Sequence, residues 1–234
     1  SLSGGDGNDV FQFADTAHLV AATNGVIGEV GTDVVHLTTA DTGIVDADFA
    51  NVTTVETLTL TGASSAVLGS NADAAGLDSA TGTIKTGTGA TSITGANDKH
   101  FTIDATSLAN GTALTLADND TASNFTVTNL VGDTAQTNLA GTLTVTTADN
   151  TDDNTITVIT GAAATDVRTS AGAASDTVTI DATALANDVN LTLNGDAGAA
   201  AGTISITNFI GNLVTTNANS GAITVSLVDN TVDN

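Results

Sequence analysis

The sharpest pattern of oxygen donors lies between Gly4 and Gln12, which reads GGDGNDVFQ. Gly4, Gly5 and Gly7 allow a tight turn with bare carbonyls. Asp9 adds a carboxylate where the turn ends, and Phe11 points into a core as a strand begins. Donors of this kind suit a hard cation, Ca²⁺ in particular. Three further turns are rich in the same groups: Asp118-Asn119-Asp120, Asp149 to Asn154 (DNTDDN) and Asp229 to Asn234 (DNTVDN). Their carboxylates (Asp118, Asp120, Asp149, Asp152, Asp153, Asp229 and Asp233) can share a Ca²⁺ ion. They can equally make ordinary turns in which Asp or Asn holds nearby backbone, and both readings stand at each cluster. Asp104 and Asp181 read as caps of one helical turn each, over TSLAN and TALAN. Nothing points to catalysis. His18, His36 and His100 are isolated in sequence, and there is no HExxH, no GxSxG and no phosphate-binding glycine loop. Arg168 stands nearly alone as a group to stabilise an anionic intermediate. No enzyme is expected.

GGDGNDVFQ fits G-G-x-G-x-D-x-U-x at Gly4, Gly5, Gly7, Asp9 and Phe11. It resembles the calcium-binding nonapeptide of RTX proteins, which leave bacteria by type I secretion and include surface-layer proteins, adhesins and toxins. The resemblance implies Ca²⁺ bound between successive coils, with Gly4, Asp6, Asn8 and Asp9 as ligand positions. It covers about nine residues in one copy. Such sites pair with a turn two nonapeptides further along, where this chain has no second motif; a coil before Ser1 would supply it. Asp46 to Leu60 (DADFANVTTVETLTL) is similar to segments of very large RTX-type surface proteins and assigns no residue a role.

Composition agrees with a secreted scaffold. The 234 residues contain no Pro, Cys, Met, Trp or Tyr, and Thr is about a fifth of the chain. Hydrophobic residues reach 41%, too many for disorder. Without Cys there are no disulfides and no thiolate metal sites. Acids number 26 against three bases, for a net charge of −23, so phosphate has nothing to neutralise it and nucleic acid is excluded as a partner. Only Glu29 and Glu56 are not Asp among the acids. That bias favours Ca²⁺ binding over a generic acidic surface, since bound cations would relieve self-repulsion. No signal peptide is visible, and no apolar run approaches a membrane span, so no membrane insertion is expected.

The rest of the chain must hold these turns. Ala14 to Ala22 predicts a short helix capped by Asp15 or Thr16. From Thr32 onward short alternating segments of β-branched residues predict strands: Thr32–Thr39, Val55–Leu60, Thr83–Lys85, Thr91–Thr94, Phe101–Ile103, Ala113–Leu116, Phe125–Asn129, Thr142–Thr147, Thr155–Ile159, Thr177–Ile180, Asn190–Leu193, Thr203–Thr207 and Ile223–Leu227. A unit recurs. FTIDATSLANGTALTL, which starts at Phe101, returns as VTIDATALANDVNLTL, which starts at Val178, and the offset has widened slightly by the pair Gly141 and Gly221. That length equals three to four coils of a β-solenoid with two or three strands each. The fold class is therefore all-β: a β-solenoid with irregular coils, with β-sandwich repeats as the alternative. Four segments follow: 1–61 with the glycine turn, 62–98 rich in small residues, 99–175 as one repeat unit and 176–234 as a second, truncated one.

The expected function is structural: a secreted, calcium-stabilised subunit of a surface layer or filament at the cell surface. Its partners would be copies of itself, in a homopolymer or lattice, and a cell-surface polysaccharide is a further candidate. The alternative is the stalk or a ligand-binding segment of an adhesin. Thr ladders on a flat solenoid can also bind ice, but the Thr spacing here is uneven.

Overall fold

The computed structural model describes residues 1–22, 24–119, 122–137, 140–148, 155–169, 176–195, 202–216 and 222–228. Among these residues are 21 strands, β1–β21 in chain order, which form three sheets. The first contains β1 (Leu2–Asp6), β3 (Val26–Val30) and β5 (Val52–Thr53). The second has ten strands: β2 (Val10–Phe13), β4 (Val34–Leu37), β6 (Thr57–Thr59), β8 (Thr83–Lys85), β10 (His100–Asp104), β12 (Asn124–Leu130), β14 (Leu143–Thr147), β16 (Thr165–Thr169), β18 (Asn190–Gly195) and β20 (Asn212–Thr216). The third has eight: β7 (Ser64–Leu68), β9 (Thr91–Gly95), β11 (Ala113–Asp118), β13 (Asp133–Thr137), β15 (Thr155–Ile159), β17 (Thr177–Asp181), β19 (Thr203–Phe209) and β21 (Ile223–Leu227). Pairing is parallel throughout, and each strand bonds to the strand one coil away rather than to its chain neighbour. That is a β-solenoid, and it excludes a hairpin-built sandwich.

The core is a set of columns. Ile84, Ile103, Val127, Val145, Val167 and Leu193 lie in register up the second sheet, each buried. Val158, Ile180 and Ile206 do the same in the third. Phe101 and Phe125 are neighbours in one column, with ring centroids 6.3 Å apart and planes tilted by 35°. Alternation follows from strand geometry: every second residue points in, and the β-branched Thr between them faces out. Thr83, Thr102, Thr126 and Thr144 form an outward row, with Lys85 and Asp104 in the row beside it. Coils are short between Phe125 and Leu143 and long between Ser64 and Thr91, because the turns absorb insertions.

Two sections differ in cross-section. Before residue 76 the coils carry the first sheet and three short helical elements: α1 (Thr16–Ala21), a 3₁₀ turn (Asp46–Phe49) and α2 (Ser70–Ala75). Asp15 caps α1 by accepting the His18 N–H at 3.1 Å. From β8 onward the described strands belong to the other two sheets alone, two strands per coil. Among the described residues no helix is long and apolar enough to cross a membrane.

The sequence repeat takes a specific form here. β10 through β14 correspond to β17 through β21, a step of seven strands. Seven strands make three and a half two-strand coils, so equivalent residues land on opposite faces. TIDAT of the first copy is in the second sheet, and TIDAT of the second copy is in the third. The two faces are thus built from one sequence pattern. Even the irregularities repeat: β12 and β19 each slip register near a left-handed Asn, Asn129 (φ 56°) and Asn208 (φ 57°).

Several strands escape the sequence pattern. β7 (SSAVL), β13 (DTAQT), β16 (TDVRT) and β20 (NLVTT) lack the run of β-branched alternation that marks strands such as β14 and β17. Parallel neighbours hold them in place. TSLAN and TALAN form turns rather than helical elements.

Candidate metal centre

Register brings a second glycine–aspartate turn beneath the first. β1 pairs with β3 so that Gly4 lies beside Gly28. β2 pairs with β4 at Val10–Val34, which sets Asp9 beside Asp33. The lower turn, Gly28 to Asp33 (GEVGTD), repeats Gly4 to Asp9 at the first glycine, the second turn glycine and the Asp. It differs by Glu29 in place of Gly5, Val30 in place of Asp6 and Thr32 in place of Asn8, and Glu29 holds the same left-handed backbone (φ 78°, against 94° at Gly5). The third coil puts Thr54 beside Gly28 and Glu56 beside Asp33.

The acids form a ladder between coils. The Asp9 N–H donates to Asp33 Oδ1 at 2.8 Å, and the Asp33 N–H donates to Glu56 Oε2 at 2.9 Å. The acceptors are Asp33 Oδ1 and Glu56 Oε2. Asp33 Oδ2, and on the first coil Asp9 Oδ2, are buried and have no hydrogen-bond partner. Burying a carboxylate oxygen without a partner is costly. Asp33 is wholly buried, with a relative exposure of 0%.

Geometry shows what those oxygens face. A Cβ added to Gly4 would meet Asp9 Oδ2 at 2.6 Å and the Gly28 carbonyl oxygen at 2.7 Å. A side chain at position 4 would therefore collide with a carboxylate oxygen and with a carbonyl oxygen from the next coil, and glycine lets both lie close to the turn. A buried carboxylate oxygen without a donor, close to a carbonyl oxygen, suits a hard cation. Among the described residues no three His, Cys, Asp or Glu side chains come together as a metal cluster. Any site here therefore relies on one carboxylate with backbone carbonyls.

The remaining sequence candidates divide. Asn8 Oδ1 accepts the Thr32 N–H at 2.9 Å, and Asp6 is exposed. Asp118 Oδ2 accepts the Ser123 N–H at 2.9 Å, while Asp118 Oδ1 and Ser123 Oγ are buried without partners. Asp120, Asp149, Asp152, Asp153, Asp229 and Asp233 lie outside the described residues.

Many other Asp side chains hold backbone across coils, a role the sequence reading gave little weight. Asp41 Oδ2 accepts the Thr16 N–H, Asp78 Oδ1 the His100 N–H and Asp133 Oδ1 the Thr157 N–H, at 2.9, 2.9 and 2.8 Å. Asp46 bonds to three amides, those of Gly69, Asn71 and Ala72. The short Asp carboxylate reaches one coil over, so part of the Asp bias belongs to these clamps.

Asp104 and Asp181 are the repeated case. Each Oδ1 accepts the N–H and hydroxyl of the Thr two residues on, Thr106 or Thr183, and the side-chain amide of the bulge Asn one coil later, Asn129 or Asn208. At Asp104 burial pushes the carboxyl up, but the bonds from Thr106 and Asn129 outweigh it and hold it below its ordinary value. At Asp181 the Thr183 hydroxyl lowers it first, burial opposes, and Asn208 adds to the lowering. Both folded values lie below the unfolded one. Their stabilisation is thus present above the ordinary carboxylate range, about pH 4, and is lost as pH falls through the folded value. In EGTA, the double substitution D104A/D181A is expected to destabilise the protein at pH 7 and to flatten the acid limb of its stability curve. Thermal melts from pH 2 to 7 check this, and an unchanged acid limb contradicts it.

No protein-family model, curated protein or solved structure matches the chain.

Proposed function

We propose that the protein is a calcium-stabilised structural segment of an extracellular surface layer or filament, built like the RTX-type proteins its first turn resembles. The observation that carries the reading is at Gly4, where the buried Asp9 Oδ2 has no hydrogen-bond partner and lies, with the Gly28 carbonyl oxygen of the next coil, close against the turn. A Ca²⁺ ion there would tie the first coil to the second. Metal binding would then couple to folding, so a chain exported unfolded would fold where Ca²⁺ is millimolar. A β-solenoid of repeated coils is compatible with a structural repeat protein, and no catalytic motif in the sequence competes with that use.

The sheet edges support the assembly part of the proposal. β20 and β21 expose Leu213, Val214, Ile223, Val225 and Leu227, and neither strand carries a charge. Uncharged apolar edges invite a further strand. In the proposal they take the next coil, from another copy of the chain. Light scattering after size exclusion is expected to give species larger than one chain in 10 mM Ca²⁺ and a shift toward monomer in EGTA. A monomer in both buffers sinks the assembly claim.

A further inference from the structure

We propose that copies of the chain join head to tail through the second sheet, β20 of one copy pairing in parallel with β2 of the next. The pairing rests on the assembly proposed above and names the surface that receives the open edge. The second sheet alone reaches from the first coil to the coil of β20, with β2 at one edge and β20 at the other. Neither VFQF nor NLVTT carries a charge. Two chains of net charge −23 can therefore meet along these strands without setting like charges opposite each other.

Exposed apolar surface is confined to the same two places. Among the described residues the exposed large apolar side chains fall into two groups, six from Leu2 to Val45 and six from Leu213 to Val228, with none between. One outward row of the second sheet shows the same split. It has Val10 and Val34 at one end, Val214 at the other, and Thr or Asp on every rung between. Val10 is 58% exposed and Val214 is 38% exposed. Head-to-tail pairing sets Val214 beside Val10 and joins the two apolar ends into one strip.

Backbone polarity fixes the direction. The Val34 N–H donates to the Asp9 carbonyl at 2.9 Å, and the Asn212 N–H donates to the Val189 carbonyl at 2.9 Å. Bonding alternates along a parallel strand, so Val10 and Gln12 turn their N–H groups to the free edge of β2, while Leu213 and Thr215 turn their carbonyls to the free edge of β20. These donors and acceptors match in a parallel pair with Val214 opposite Val10, the direction that every neighbouring pair in this sheet already has. Joining two like ends would need an antiparallel pair, a direction that none of the described strand pairs takes.

The sequence has no Cys, so thiols can be placed at single positions. V10C, V214C and V10C/V214C are assembled in 10 mM Ca²⁺ and treated with a short bis-maleimide, and the products are separated on a denaturing gel. The double variant is expected to give a ladder of dimers, trimers and longer species. Each single variant is expected to run as one chain, because a head-to-tail junction never brings a thiol to its own counterpart. Dimers from V10C alone or V214C alone mean that like ends meet, which overturns the proposal. Assembly seen by light scattering without a ladder from the double variant places the contact elsewhere; the pairing is then wrong while the assembly reading stands. A monomer by light scattering in both Ca²⁺ and EGTA sinks both.

Discussion

Replacing Asp46 by Ala is expected to destabilise the protein by about 3 kcal/mol, equally with and without calcium. Asp46 begins the 3₁₀ turn of the second coil and bonds to the N-terminal amides of α2 in the third, at 2.7 Å to Gly69, 3.1 Å to Asn71 and 2.9 Å to Ala72. These amides have no partner within their own helix. Losing an N-cap acceptor costs about 1–2 kcal/mol, and a hydrogen bond to a charged group is worth about 1.5–3 kcal/mol. With three amides stripped at once, about 3 kcal/mol follows, a fall in Tm of about 6–12 °C for a chain of this length. D46N keeps one carbonyl oxygen and should lose about half as much. Thermal melts of D46A in 10 mM Ca²⁺ and in EGTA check the point. A deficit that disappears in EGTA would make Asp46 a metal ligand rather than a clamp.

That experiment separates two uses of Asp that composition cannot tell apart. The excess of Asp over Glu is plain in the sequence, and a short carboxylate fits both a cation site and a backbone clamp. Only register decides, since Asp46, Asp78 and Asp133 reach amides that lie 22 to 26 residues away. The glycine turn at Gly4 was legible because its pattern is local. Its partner turn was not, because a search two nonapeptides along stops short of GEVGTD, whose Asp33 stands 24 residues beyond Asp9. The first coil is longer because α1 is inserted between β2 and β3. The strands with strict alternation, such as β10 and β17, were legible, whereas β13 and β16 carry too few apolar residues to stand out. The repeat of TIDAT was visible in the sequence, but its half-integral number of coils was hidden. One period can exchange the two faces only because both sheets accept the same alternation of branched residues and Thr.

On the proposed reading, calcium removal is expected to have the second large effect. Extracellular calcium sites have Kd values near 10⁻⁴–10⁻³ M. At an ion concentration about 100 times Kd, binding to the folded state alone adds about 2.7 kcal/mol per site. The proposed site at Gly4 would then supply about 2.7 kcal/mol, or about 5–11 °C in Tm. The loss should begin in the first two coils, where the buried Asp9 Oδ2 would be left without a partner. The direct test is thermal unfolding of the full chain followed by far-UV circular dichroism, in 10 mM Ca²⁺ and in EGTA with matched ionic strength. The account predicts a Tm lower by about 5 °C or more in EGTA, with the difference much reduced in D9N. Superimposable melts of the wild-type chain in the two buffers would contradict it.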